Sequence, residues 1–123
     1  MPSRLLIALA ALGAVVGSSA RYGIALAIPN ADGSHIPYAT LLVNLIGSLI
    51  IGVCASMPRI MTSEVPRTFF VTGILGGFTT FSAFAVETVE LSNRPVQALI
   101  YVLLTVTGSL AATHWGAKLW RTA

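Results

Sequence analysis

Thr40, Asn44 and Ser48 recur at intervals of four residues, and Tyr101, Thr105, Ser109 and Thr113 repeat the same interval further along the chain. On a helix each set falls along one face, so each forms a stripe of uncharged donors and acceptors. Such stripes can hydrogen-bond one membrane helix to another, or line a path for a polar species. The second stripe covers twelve positions, about 18 Å of helical rise at about 1.5 Å per residue, over half the thickness of a bilayer's hydrocarbon core. That extent favours a track. Phe78, Phe81 and Phe84 recur at intervals of three and would share a helix face, where packing is the default role. Their ring edges are electropositive, however, and could meet an anion without the cost of a fixed positive charge. Thr79, Thr80 and Ser82 lie among them and add hydroxyls and carbonyls.

Arg21, Glu87 and His114 are the ionisable side chains within or beside apolar stretches, and in lipid such groups are functional candidates by default. Arg21 could snorkel to headgroups or attract anions. Glu87, with Glu90, could be a solvated terminal turn, and His114 an interfacial residue beside Trp115. The chain offers no acid pair, no Ser-His-Asp set, no metal-ligand cluster and no phosphate loop, since Gly76-Gly77 lacks the lysine and strand context of one. Catalysis is therefore not expected. Cys54 is the only cysteine, which excludes an internal disulfide and points to inert packing.

The elements that position these residues follow from composition. Of 123 residues 55% are hydrophobic and 9% charged, against roughly 25% charged in an average soluble domain. Lipid must cover most of the surface. Four spans of about 20 residues each fit the length and leave short connections, so the expectation is one four-helix membrane domain over 1–123. The seven basic residues are scattered between apolar runs and read as membrane anchors, not as a nucleic-acid surface.

Span one runs over 3–28 and ends at a turn cluster of Pro29, Asn30, Asp32 and Gly33. A rival reading takes Arg4, the apolar run after it and Gly17 to Ala20 as a signal peptide, but the Gly13 and Gly17 spacing also suits close helix packing. Span two covers 36–57, stopped by Pro58 and Arg59, and span four covers 96–119, ending in Trp115, Lys118, Trp120 and Arg121. Span three, 65–91, carries Gly73, Gly76 and Gly77 at its middle, followed by Phe78-Thr79-Thr80-Phe81-Ser82-Ala83-Phe84, a stretch that makes a poor continuous helix and should break. In a bilayer such a break is tolerated only where its freed backbone groups are buried in protein or line a watery cavity. With both termini on one side, Arg4, Arg59, Arg67, Lys118 and Arg121 face one compartment and Arg21 and Arg94 the other, favouring cytoplasmic termini.

The segment Gly76-Gly77-Phe78-Thr79-Thr80-Phe81-Ser82-Ala83-Phe84 resembles the signature of the bacterial fluoride channels, the Fluc or CrcB family. Gly13 to Tyr22 resembles that family's first-helix motif, and Asn44-Leu45-Ile46-Gly47-Ser48 its second. Ala14, Ser18 and Ala83 depart from the commoner residues at their positions. The resemblance implies an all-α membrane protein of four transmembrane helices, the third broken, paired as an antiparallel, dual-topology homodimer in the bacterial inner membrane. It implies passive, fluoride-selective export with two pores per dimer and a central structural sodium ion. By the same matching Phe81 and Phe84 would turn their edges to fluoride beside the amide of Asn44. Tyr101, Thr105 and Ser109, with Thr40 and Ser48, would form the polar track, and Arg21 would sit near the aqueous vestibule. Gly76 and Thr79 would offer carbonyls to sodium, while Thr80 and Ser82 would lie in the same break. The five-to-two basic bias also allows an oppositely oriented paralogue as partner. Two other classes compete: a small four-helix multidrug exporter, disfavoured because span one holds no acidic residue, and an accessory membrane subunit whose stripes only pack helices.

Overall fold

The computed structural model describes residues 1–29, 33 and 35–123, and every regular element among them is helical. Four helices are long and apolar enough to cross a membrane: α1 (Ser3–Ala27), α2 (Tyr38–Ala55), α3 (Glu64–Asn93) and α4 (Pro95–Thr122). A single helical turn, Pro58–Met61, links α2 to α3. Pro58 starts that turn and Pro95 starts α4, each at a position where the missing amide hydrogen costs nothing. The four spans fall within a few residues of those expected, α4 continuing to Thr122. Of the turn cluster after α1, Asn30 and Asp32 lie outside the described residues.

The helices associate as two pairs, α1 with the first half of α3 and α2 with α4. Lipid tails are as apolar as leucine, so close backbone approach must supply the attraction between helices. Small residues permit it. Gly13 lies against Phe69 and Gly73, and a Cβ on Gly17 would collide with the Ile74 carbonyl oxygen. Gly52 and Gly116 make the equivalent approach between α2 and α4, against Thr113 and Leu49 respectively. The helix-packing reading of Gly13 and Gly17 is therefore the one the fold uses. Large apolar side chains such as Ile7, Leu12, Leu26, Leu99 and Leu110 remain on the outside, as a lipid-facing surface requires.

α3 is not one helix. Arg67–Leu75 is wound as a π-helix, Gly76–Phe78 is a last α-helical turn, and helix resumes over Phe81–Glu90 before a closing 3-10 turn, Leu91–Asn93. Between them Thr79 (φ −79°, ψ 156°) and Thr80 (φ −150°, ψ 117°) are extended. The break thus falls after the glycines, because Gly73 and Gly77 are occupied in packing on Ala10 and Ala14 of α1. Thr80 restarts the helix: its hydroxyl accepts from the Ala83 N–H at 3.2 Å, an N-cap. One expectation is corrected here. Phe78 precedes the break and Phe81 and Phe84 follow it, so the three rings do not share one helix face.

Gly17→Leu forces a side chain into the α3 backbone and should cost about 3 kcal/mol or more. Gly23, with nothing within 4 Å of its would-be Cβ, should tolerate the same change. Size-exclusion chromatography in mild detergent checks this: the Gly17 variant should lose its monodisperse peak and the Gly23 variant keep it.

Candidate functional site

The break in α3 frees backbone groups, and side chains from other helices take them up. Asn44, buried in α2, donates from Nδ2 to the Thr80 carbonyl at 3.0 Å and accepts from the Thr80 N–H at Oδ1 at 2.9 Å. One side chain thus satisfies both polar groups of an extended residue. An asparagine amide has two N–H donors, so one remains for another acceptor. In an unbroken helix the Gly77 carbonyl would accept from residue 81; here it accepts from Arg21 Nε of α1 at 3.2 Å. Arg21 is therefore bound to the break rather than only snorkelling. Thr79 turns its hydroxyl back to the Leu75 carbonyl at 2.9 Å, and Ser82 Oγ lies 3.3 Å from Thr80 Oγ1.

Beside the break is a groove of about 490 Å³. Asn44 and Ser48 line it from α2, Thr105 and Ser109 from α4, and Gly76, Thr79, Thr80, Phe81 and Phe84 from α3. Phe84 is buried at 8% exposure, whereas Phe81 stands out at 78%. Their ring centroids are 5.5 Å apart, and Phe84 lies 5.3 Å from Tyr101. The hydroxyl of Thr105 is fully buried and has no hydrogen-bond partner among the described residues, an expensive condition for a polar group. Thr113 instead donates to the Ser48 carbonyl at 3.0 Å. The α4 stripe is thus divided: its far end joins α4 to α2, and its middle faces the groove.

Thr40 and Tyr101 are not on the groove wall. Both donate to Glu87, Thr40 Oγ1 to Oε1 at 2.7 Å and the Tyr101 hydroxyl to Oε2 at 2.6 Å. Tyr101 is completely buried, packed with Ile36, Leu41, Phe84 and Leu91. Glu87 is more than a solvated end turn: each carboxylate oxygen receives a hydroxyl, an arrangement suited to an acceptor-only ion. Sequence reasoning missed this pairing, and also the bond of Asn44 to Thr80. The available signal was residue type alone, an asparagine and a glutamate within apolar stretches. Arg21 and Ser82 border a further opening of about 460 Å³ with Thr80, Glu87 and Glu90. His114 stacks edge-on to Trp115 with centroids 6.2 Å apart, and Cys54 is buried and free.

Uncharged donors on two helices and two phenylalanine rings thus line one groove beside a braced break. Comparison with known proteins gives the family. A family model described as CrcB-like protein, Camphor Resistance (CrcB), matches residues 8–117. The chain belongs to the CrcB family. A curated relative from Agrobacterium fabrum (strain C58 / ATCC 33970), named Fluoride-specific ion channel FluC, is 40% identical over 94% of this chain and 95% of its own length. Another of that name, from Chloroflexus aurantiacus (strain ATCC 29366 / DSM 635 / J-10-fl), is 42% identical over 90% and 91%. Fluoride-specific ion channel FluC 1 of Rhodopseudomonas palustris (strain BisB18) is 44% identical over 90% and 83%. This CrcB protein is thus a multi-pass membrane protein of a channel family and not an enzyme.

Asn44→Ala leaves the Thr80 N–H and carbonyl without their partner, at about 1–3 kcal/mol for each group. Its thermal midpoint in detergent should fall clearly. Asn44→Asp keeps the acceptor and loses the donor, so its midpoint should lie between; equal midpoints for all three proteins would show that Asn44 does not brace the break.

Proposed function

We propose that this CrcB protein is a passive, fluoride-selective channel that lets fluoride leave across the bacterial inner membrane and so limits its toxicity. The single observation that carries the reading is the groove, which Asn44, Ser48, Thr105 and Ser109 line together with Phe81 and Phe84. The relatives' printed name supports fluoride as the ion and weighs against the multidrug-exporter and accessory-subunit readings.

Fluoride is small and strongly hydrated, so a pathway must replace its water with several donors without trapping it. Hydroxyls and one amide supply such donors, and ring edges add weak positive potential in the apolar stretch. A lysine at that depth would hold the ion too firmly. Thr40, Tyr101 and Glu87 continue the polar line away from the groove, and Arg21 lies at the break where its charge attracts anions. The groove is open and Phe81 is exposed, which suits closure by a second copy. An antiparallel homodimer would then carry two pores. The basic bias of one end favours, as a second reading, a partner chain of opposite orientation.

A structural sodium ion fits the break. The Thr80 N–H that would pair with the Gly76 carbonyl goes to Asn44, and the Ala83 N–H that would pair with the Thr79 carbonyl goes to the Thr80 hydroxyl. Both carbonyls thus lose their helical donors, and both residues line the groove. Sodium held by Gly76 and Thr79 would supply a positive field next to the pathway.

Liposomes loaded with fluoride and chloride and holding purified protein test the reading, with an electrode for each ion and no proton gradient. Rapid fluoride release with negligible chloride release is expected. Phe84→Leu and Phe81→Ala should each slow fluoride release about tenfold or more, about 1.4 kcal/mol in barrier, while the protein stays folded. Folded protein that releases no fluoride would refute the proposal.

A further inference from the structure

Gly13, Gly17, Gly52 and Gly116 each face the backbone of a neighbouring helix. Gly47, buried in α2, is different: a Cβ there would collide with the Thr79 methyl, Cγ2, and stand 3.4 Å from Phe78 Cδ1. Its missing side chain therefore admits one particular side chain of the break rather than a helix backbone. That side chain is itself pinned. The Leu75 carbonyl accepts from the Thr79 N–H at 3.0 Å and from the Thr79 hydroxyl at 2.9 Å, using both lone pairs of one oxygen. With the hydroxyl held, the staggered rotamer of a β-branched side chain leaves its methyl one place to go, and that place is against Gly47.

Gly47 follows Asn44 by three residues on α2, so the two share the helix face that meets the break. Asn44 binds the backbone of Thr80, and Gly47 receives the methyl of Thr79. A side chain added at residue 47 leaves two ways out. Either Thr79 turns about χ1 and gives up the Leu75 carbonyl, or α2 retreats and stretches the two Asn44 bonds. Each displaces Thr79, the residue at which the backbone leaves the helix with ψ 156°. We propose that Gly47 is a positioning residue for the sodium site: by admitting the Thr79 methyl it holds Thr79 in place, and with it the carbonyl offered to the ion. This role rests on the sodium reading proposed above.

Thermal midpoints of the full chain in mild detergent test this, with sodium replacing potassium at constant ionic strength. An ion that binds only the folded protein raises the midpoint once its concentration passes its dissociation constant, so the onset of the rise reads affinity separately from stability. The wild-type midpoint should rise with sodium. For Gly47→Ala the rise should begin at about tenfold higher sodium or more, the usual cost of losing a residue that orients a metal ligand. Gly23→Ala, with nothing near its would-be Cβ, should rise with the wild type. Thr79→Ser removes the methyl and keeps the hydroxyl, so in that background Gly47→Ala should move the onset by no more than about twofold. If Gly47→Ala alone does not fold, the double variant carries the test, since it should fold and respond like Thr79→Ser; failure of the double variant to fold overturns the proposal. A Gly47→Ala protein whose rise begins at wild-type sodium, whether or not its midpoint is lowered throughout, makes Gly47 a packing residue only and also overturns it. So does an onset moved just as far in the Thr79→Ser background, which places the effect elsewhere than on the methyl. A wild-type midpoint indifferent to sodium removes this role and the sodium site together, while fluoride release from liposomes decides the channel reading on its own.

Discussion

A peptide group inside a bilayer has no water to bond, and leaving one unpaired costs several kcal/mol. Nearly everything distinctive in this protein follows from meeting that demand at two consecutive residues, Thr79 and Thr80. The chain is extended there, so four carbonyls and the following N–H groups lose their helical partners. Asn44 takes both groups of Thr80, Arg21 takes the Gly77 carbonyl and the Thr80 hydroxyl caps the next helix. α1 and α2 are thereby fastened to α3 at one level. Asn44, Gly76, Thr79 and Thr80 line the groove beside the break.

The two glycine-mediated helix pairs explain why that groove stays open. α1 and the first half of α3 approach backbone to backbone, as do α2 and α4. The seam between the pairs is filled less tightly, by Asn44, Ser48, Thr105 and Ser109 on one side and the break on the other. A path through a membrane protein needs polar groups that are present yet not consumed by one another. Thr113 marks the contrast, since its hydroxyl is spent on the Ser48 carbonyl and helps fix α4 to α2, whereas Thr105 is buried with no partner among the described residues.

Much of this was legible in the sequence, for reasons that can be stated residue by residue. The spans were legible because proline, arginine and the aromatic-basic end at Trp115 to Arg121 punctuate apolar runs. That α3 breaks was legible from the stretch running from Gly73 to Phe84, and Thr79 and Thr80 lie inside it; the glycines alone do not mark the exact residues, because glycine signals close packing as readily as a break and Gly73 and Gly77 are used for packing. The π-winding of Arg67–Leu75 leaves no mark in a hydrophobic pattern. The same limit explains the Phe78, Phe81 and Phe84 stripe, whose common face assumed an unbroken helix. Asn44, Ser48, Thr105 and Ser109 were recognisable as a polar set by their spacing of four. Which of them would bind backbone, and that Thr40 and Tyr101 would meet on Glu87, depends on distances between helices that spacing along one helix does not contain.

The central claim is that the braced break and its groove pass fluoride and refuse larger halides. Reversal potential in a planar bilayer tests this most directly, with fluoride concentrated on one side and chloride on the other. If the claim holds, the current reverses close to the fluoride equilibrium potential and replacing chloride with an impermeant anion leaves the reversal unmoved. A reversal potential that follows chloride, or a current carried equally by both ions, would contradict it.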